Sequence, residues 1–321
     1  MTIRIALAGD TMLGRGIGAE IATAGPYVLF SGEVREWFAS ADLALLNLEC
    51  CVSTRGSPWG GPAKPFHFRA PPQAAGALAS LGIDCVTLAN NHALDFGYDA
   101  LADTLSHLSR AGISAVGAGA DQQQARAAVL LGARGMRVAV LGVTDHPADF
   151  AAGPGRPGVA YADLAAGVPR WLTGQVRELA AANDAVLVMP HWGPNMTTRP
   201  LAYIRSAARV LIAAGATLVA GHSAHVFHGV AGRILYDMGD FIDDYATDPE
   251  LRNDLGLLFI VTLDGQRLQR VEAVALKLGY ARTRLAAGAE RAWINARFTS
   301  ACAALGTQVH EEDGKLVIAR T

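Results

Sequence analysis

A chain of 321 residues, 51% hydrophobic and 17% charged, is globular and not disordered, and long enough for one large domain or two smaller ones. Its net charge of −2, with no dense basic stripe, speaks against nucleic-acid binding. The cysteines Cys50, Cys51, Cys85 and Cys302 form no CxxC pair, which argues against a disulfide framework or a thiolate zinc site. No run approaches about 18 consecutive apolar residues, and the N-terminus turns polar too soon for a signal peptide. The expected location is therefore cytoplasmic, with no membrane anchor.

Strand-like and helix-like segments alternate along the chain, as in an α/β fold. Ile3 to Ala8 is a β-branched, apolar run that stops at Gly9-Asp10. Glu33 to Phe38 patterns as a helix. Leu43 to Leu46 reads as a second buried strand, ending at Asn47-Leu48-Glu49. Residues 52–66, rich in Gly, Pro and Ser, form an irregular loop with Trp59 exposed or covering something. Pro72 to Leu81 is a helix with proline in its first turn. Ile83 to Leu88 is a third strand, followed by a helix over Tyr98 to Ala111. Ala127 to Leu131 and Arg137 to Leu141 flank a Gly-containing turn, a hairpin signature. A helix over Val168 to Ala182 precedes a strand, Ala185 to Met189, that stops at Pro190-His191. A helix over Leu201 to Ala214 precedes Thr217 to Ala220, which stops at Gly221-His222. Ile234 to Asp237, Leu257 to Leu263 and Leu268 to Leu278 pattern as successive antiparallel strands, Ala287 to Leu305 as a late helix, and the last residues as a small hairpin or strand. Residues 1–280 read as one compact domain, with 281–321 a helical extension packed on it.

The most informative stretch is Leu88-Ala89-Asn90-Asn91-His92-Ala93-Leu94-Asp95-Phe96-Gly97. It puts two amides, an imidazole and a carboxylate where a strand ends and a helix begins. Polar groups at strand C-termini in α/β folds usually face a crevice and bind ligands. Taken alone, the stretch fits either a divalent-metal and acid/base site or an Asx turn with a hydrogen-bonded core histidine. The wider pattern favours the first. Asp10, Glu49, Asn91-His92, His191 and His222 each close an apolar run, and His225 follows in Gly221-His222-Ser223-Ala224-His225. Each buried polar group needs a partner, and one shared cation satisfies several at once.

The order Gly9-Asp10, Asn47-Leu48-Glu49, Asn91-His92, His191-Trp192-Gly193, Gly221-His222 resembles the calcineurin-like metallophosphatase superfamily. Phe68-Arg69-Ala70-Pro71-Pro72, Gly221-His222-Ser223-Ala224-His225 and Gly239-Asp240-Phe241 narrow the resemblance to the CapA family, named for poly-γ-glutamate capsule synthesis. The resemblance implies a metallo-dependent phosphatase-like fold, a four-layer α/β/β/α sandwich with one or two divalent ions at the strand ends. It implies Asp10 and His225 at a first metal, Glu49 as a bridging carboxylate, and Asn91, His191 and His222 as further ligands. His92 would be the acid/base, oriented by Asp95, with His225 the alternative reacting group. Mixed oxygen and nitrogen ligation fits Mn²⁺, Zn²⁺, Fe or Mg²⁺. Two positions depart from the phosphatase pattern. Met12 stands where a histidine is common, and Glu49 where the bridge is commonly aspartate.

Around this set, Lys64, His67 and Arg69 read either as binders of a substrate carboxylate or phosphate or as a solvated charge group. Trp192 either walls the pocket or packs. His228 is either a second acid/base or a structural histidine. Asp240, Asp243 and Asp244 with Tyr245 read as a solvated acidic turn, with a cation or amine site as the alternative. His107, His146 and His310 read as structural or exposed. The substrate is a small molecule or a peptide. The leading function is a metal-dependent hydrolase of phosphoesters or (γ-)peptide bonds. The alternatives are a metal-dependent peptide epimerase and a non-catalytic capsule-polymer factor.

Overall fold

The computed structural model describes residues 1–60 and 64–319; Gly61, Pro62 and Ala63, which fall in the predicted irregular loop, lie outside the described residues. Two sheets face one another. The larger runs, edge to edge, through strands His310–Glu312, Lys315–Ala319, Arg267–Gly279, Leu255–Asp264, Thr2–Thr11, Leu43–Leu48, Cys85–Thr87 and Ser114–Val116. On one side of Thr2–Thr11 the neighbours are parallel, and on the other Leu255–Asp264 is antiparallel. The smaller sheet runs Val230–Ala231, Ile234–Leu235, Leu218–Ala220, Ala185–His191, Met136–Thr144 and Val129–Ala133, with its inner strands parallel.

Side-chain alternation along the strands builds the layers. In Thr2–Thr11, Ile3, Ile5 and Leu7 point between the sheets, against Val138, Val140, Leu187 and Leu218. Ala6 and Ala8 point outward, into a core with Ile17, Val34, Leu78 and Leu101 from helices Arg15–Ala24, Gly32–Ala39, Gln73–Ser80 and Gly97–Arg110. The smaller sheet likewise turns Leu141, Val186 and Val188 outward against Leu172, Val176, Ile204 and Leu211 of helices Arg170–Ala182 and Ala202–Ala214. Three apolar cores between four layers give the α/β/β/α sandwich expected from the sequence.

Three details differ from the sequence reading. Helix Arg15–Ala24 was not predicted, because its Gly-rich start carries no side-chain cap. Ile234–Leu235 is not an antiparallel neighbour of the later strands but joins the smaller sheet, parallel to Leu218–Ala220. The segment after residue 281 is more than a helix with the expected terminal hairpin. Arg282–Leu285 and Lys315–Ala319 pair with Arg267–Gly279. Helix Gly288–Ala303 seats Ile294, Phe298 and Cys302 in the inter-sheet core. No described helix is long and apolar enough to cross a membrane.

Candidate metal centre and cleft

The parallel strands of both sheets end at one edge, and there the polar residues meet. His191, the last residue of Ala185–His191, forms a parallel bridge with His222. Asp10 is registered against Asn47 on one side and Asp240 on the other. Two groups of ligand-capable atoms result, each with its members within 4.8 Å of one another: Asp10, His191 and His222; and Asp10, Glu49, His225 and Asp240. Asp10 is the residue common to both.

The donor set fits divalent cations. Asp10, Glu49 and Asp240 are buried and have only histidines within salt-bridge distance among the described residues. Both Glu49 carboxylate oxygens, Asp240 Oδ2, Asn91 Oδ1, and Nε2 of His191 and His222 are buried without a hydrogen-bond partner. Burial pushes the Asp10 carboxyl up to about 7, opposed by the nearby His225. Burial, then repulsion from Asp10, raises Glu49 well above the carboxylate range, and burial with Asp243 does the same to Asp240. Burial likewise drives His222 down to about 3 and His191 well below the ordinary imidazole range. Neutral imidazoles and crowded carboxylates without a counter-charge are the chemistry a cation resolves.

Backbone and amides hold the groups in place. Asn47 Nδ2 donates to Asp10 Oδ1 at 2.7 Å, and Asn47 Oδ1 accepts from Asn90 Nδ2 at 2.9 Å. Asp237 is buried and accepts from the Ala224 and Gly239 amides, fixing the turn that carries His225. Ser223 and His225 both have positive φ, 123° and 61°, a conformation that costs energy for such residues and recurs at functional sites. His225 Nδ1 lies 2.8 Å from Asp240 Oδ1 and 3.4 Å from Asp10 Oδ2. Although its burial favours the neutral form, Glu49 and Asp10 outweigh that and raise its pKa.

Beside this centre lies His92. Its Nδ1 is 2.6 Å from Asp95 Oδ2, its Nε2 is 3.9 Å from Glu49 Oε1, and its ring stacks on Phe68 at 4.2 Å. Burial lowers its pKa to about 4 against the opposing pull of Asp95. Asp95 also accepts from the Phe68 amide and pairs with Lys64 Nζ at 2.9 Å. His92 opens onto a cleft of about 320 Å³ whose walls include Lys64, Asn91, His146, Asn195 and the rings of Trp59, Phe66 and Phe150.

Several sequence-predicted residues fall elsewhere. Trp192 does not wall the cleft. It is 1% exposed, packs in the outer core of the smaller sheet and donates Nε1–H to the Tyr236 carbonyl. His228, 3% exposed, lies against the Thr197 carbonyl through Nε2 at 2.7 Å and is absent from the cleft lining. His67 turns to the Trp59 carbonyl and the Phe96 ring, and Arg69 stacks on Phe96 at 4.2 Å, so neither reaches the cleft. Of the three cations, Lys64 alone lines it. The acidic turn is not a solvated loop, because Asp240 and Asp243 are buried. Gly239-Asp240-Phe241 was visible as a motif, but the parallel pairing that brings Asp240 to Asp10 was not. Tyr245, whose buried hydroxyl has no partner, and His146 were also missed.

The chain is similar to known proteins. The family model described as bacterial capsule synthesis protein PGA_cap matches residues 4–245. A probable polyglutamine synthesis accessory protein of Mycobacterium tuberculosis is 34% identical over 266 residues, covering 77% of this chain and 68% of its own. The PGA biosynthesis protein CapA of Bacillus subtilis is 28% identical over 242 residues, 74% of this chain and 62% of its own. The capsule biosynthesis protein CapA of Bacillus anthracis is 27% identical over 252 residues, 75% and 60% respectively. The aligned part thus spans about three fifths of the two Bacillus proteins.

Proposed function

This chain belongs to the bacterial capsule synthesis family, and on that premise we propose that it is a divalent-metal-dependent hydrolase acting on a phosphoester or a (γ-)peptide bond. One observation carries the reading: two buried ligand groups meet at Asp10, beside an imidazole, His92, that belongs to neither. A divalent ion held by Asp10, Glu49, His191, His222, His225 and Asp240, with Asn91 at the margin, would lower the pKa of bound water toward about 7 and offset the buried carboxylates.

His92 carries the proton. Asp95 accepts from Nδ1–H, which fixes the tautomer and leaves a lone pair on Nε2. With its pKa near 4, the ring is neutral at pH 7 and Nε2 can take a proton from water. Water's oxygen bonds to the acyl carbon or phosphorus, the scissile bond breaks, and His92 returns the proton to the leaving group. Such a group contributes roughly 10²–10⁴ in rate. Lys64 places one positive charge in the cleft for a substrate anion.

The test is elemental analysis of the purified protein, then a substrate panel in ¹⁸O-labelled water. The expected result is about one to two equivalents of a divalent ion. Either p-nitrophenyl phosphate or γ-glutamyl-p-nitroanilide should be cleaved, with ¹⁸O in the product and activity lost to chelator. No metal in any preparation, or no turnover by the metal-loaded protein, sinks the reading.

A second reading, epimerisation, has its own observation. Glu49 is flanked by two imidazoles, His92 at 3.9 Å from Oε1 and His225 at 3.9 Å from Oε2, each backed by an aspartate. One would remove a Cα proton and the other return it. Deuterium uptake at Cα without bond cleavage would select this chemistry over hydrolysis.

A further inference from the structure

A third histidine–aspartate pair stands on the far flank of the centre. Asp145 and His146 follow strand Met136–Thr144, whose last residue is registered against His191. Asp145 is heavily anchored. Its amide donates to the His191 carbonyl, and its Oδ2 accepts from Tyr203 Oη–H at 2.8 Å and the Gly193 amide at 3.2 Å. The remaining oxygen, Oδ1, holds His146 Nδ1 at 2.5 Å. That is much fixed structure for a histidine whose side chain is 33% exposed. The ring lines the same cleft as His92 and lies 5.1 Å from the His191 ring, yet His146 is in neither ligand group.

We propose that His146 touches the substrate, its Nε2 accepting a hydrogen bond from a substrate N–H or O–H, with Asp145 and Tyr203 as positioning residues. The chemistry follows from donor and acceptor roles. In the neutral ring that donates Nδ1–H to Asp145 Oδ1, Nε2 carries the acceptor lone pair. Lys64, the cleft's one Lys or Arg side chain among the described residues, pairs with Asp95 and donates to the Asn91 carbonyl.

The inference relies on the proposed function only in taking this cleft as the substrate site, so the test reads His146 directly as well. In the Zn²⁺-loaded protein, ¹⁵N NMR of the histidine rings should show His146 as the Nδ1–H tautomer; the Nε2–H tautomer or a doubly protonated ring overturns the proposal. For whichever panel compound is cleaved, His146→Ala should lower kcat/KM at least about 10-fold, while the Mn²⁺ stoichiometry by calorimetry stays that of the wild type. His146→Gln, which keeps an acceptor near the place of Nε2, should recover most of the rise in KM. Asp145→Asn should match His146→Ala. Lost Mn²⁺ binding in His146→Ala, or kcat/KM within twofold of wild type, overturns the proposal. If no panel compound is cleaved, the hydrolase reading fails, and the tautomer alone decides this one.

Discussion

The carboxylates at the sheet edge and those on the antiparallel half of the large sheet are satisfied in opposite ways. Asp254 accepts from Arg252 Nε at 2.7 Å and pairs with Lys277. Glu272 meets Lys315 at 2.6 Å, and Glu312 meets Arg270 at 2.5 Å. Arg252 and Lys277 overcome burial in Asp254 and lower its pKa to about 2. Asp10, Glu49 and Asp240 are as thoroughly buried as any of these, have histidines as their only nearby cationic partners among the described residues, and are pushed upward. A fold that supplies cations to one acidic cluster and leaves another with oxygens unbonded has built the second for a cation from outside.

Breaking the shared residue should have the largest effect. Asp10→Asn is expected to weaken Mn²⁺ binding by more than about 100-fold at both positions together, because both groups use Asp10. Loss of one equivalent with the other intact, measured by calorimetry, would separate the two groups and refute the shared role. Next come His92→Ala and Asp95→Asn, each expected to cost roughly 10²–10⁴ in kcat with metal content unchanged. A wild-type rate in His92→Ala would point instead to a binding factor.

Metal removal sharpens the contrast in stability. An ion present at about 100 times its Kd adds about 2.7 kcal/mol to the folded state. Chelation should therefore lower Tm by about 4 °C. The Asp254 cluster should not respond to chelator. Its own dependence is on pH. Its folded pKa of about 2 lies below the ordinary 3.8, so the contribution is present above pH 4 and fades as pH falls from about 4 toward 2. Asp254→Asn should cost on the order of 1 kcal/mol at pH 7 after solvent screening, and less at pH 2.5, by urea denaturation. An equal cost at both pH values would assign the loss to packing and not to charge.

What the sequence determined by itself was the pattern of strand ends. Apolar runs that stop at Asp10, Glu49, His92, His191 and His222 are visible because strand length and burial are local properties of the chain. They were enough for an α/β fold and for most of the metal-capable set, while the four-layer sandwich was implied by the family resemblance of the motifs. Tertiary structure alone decided who meets whom. Asp240 became a neighbour of Asp10 through a parallel pairing between segments some 230 residues apart, which no local pattern encodes. The same holds for direction. Trp192 follows His191 in sequence but packs in the outer core of the smaller sheet, since successive residues in extended chain point to opposite sides. His146, set aside as structural or exposed, reached the cleft because Met136–Thr144 lies beside Ala185–His191 in register. Periodicity reports the face a residue takes; only the docking of the two sheets sets which faces share an edge.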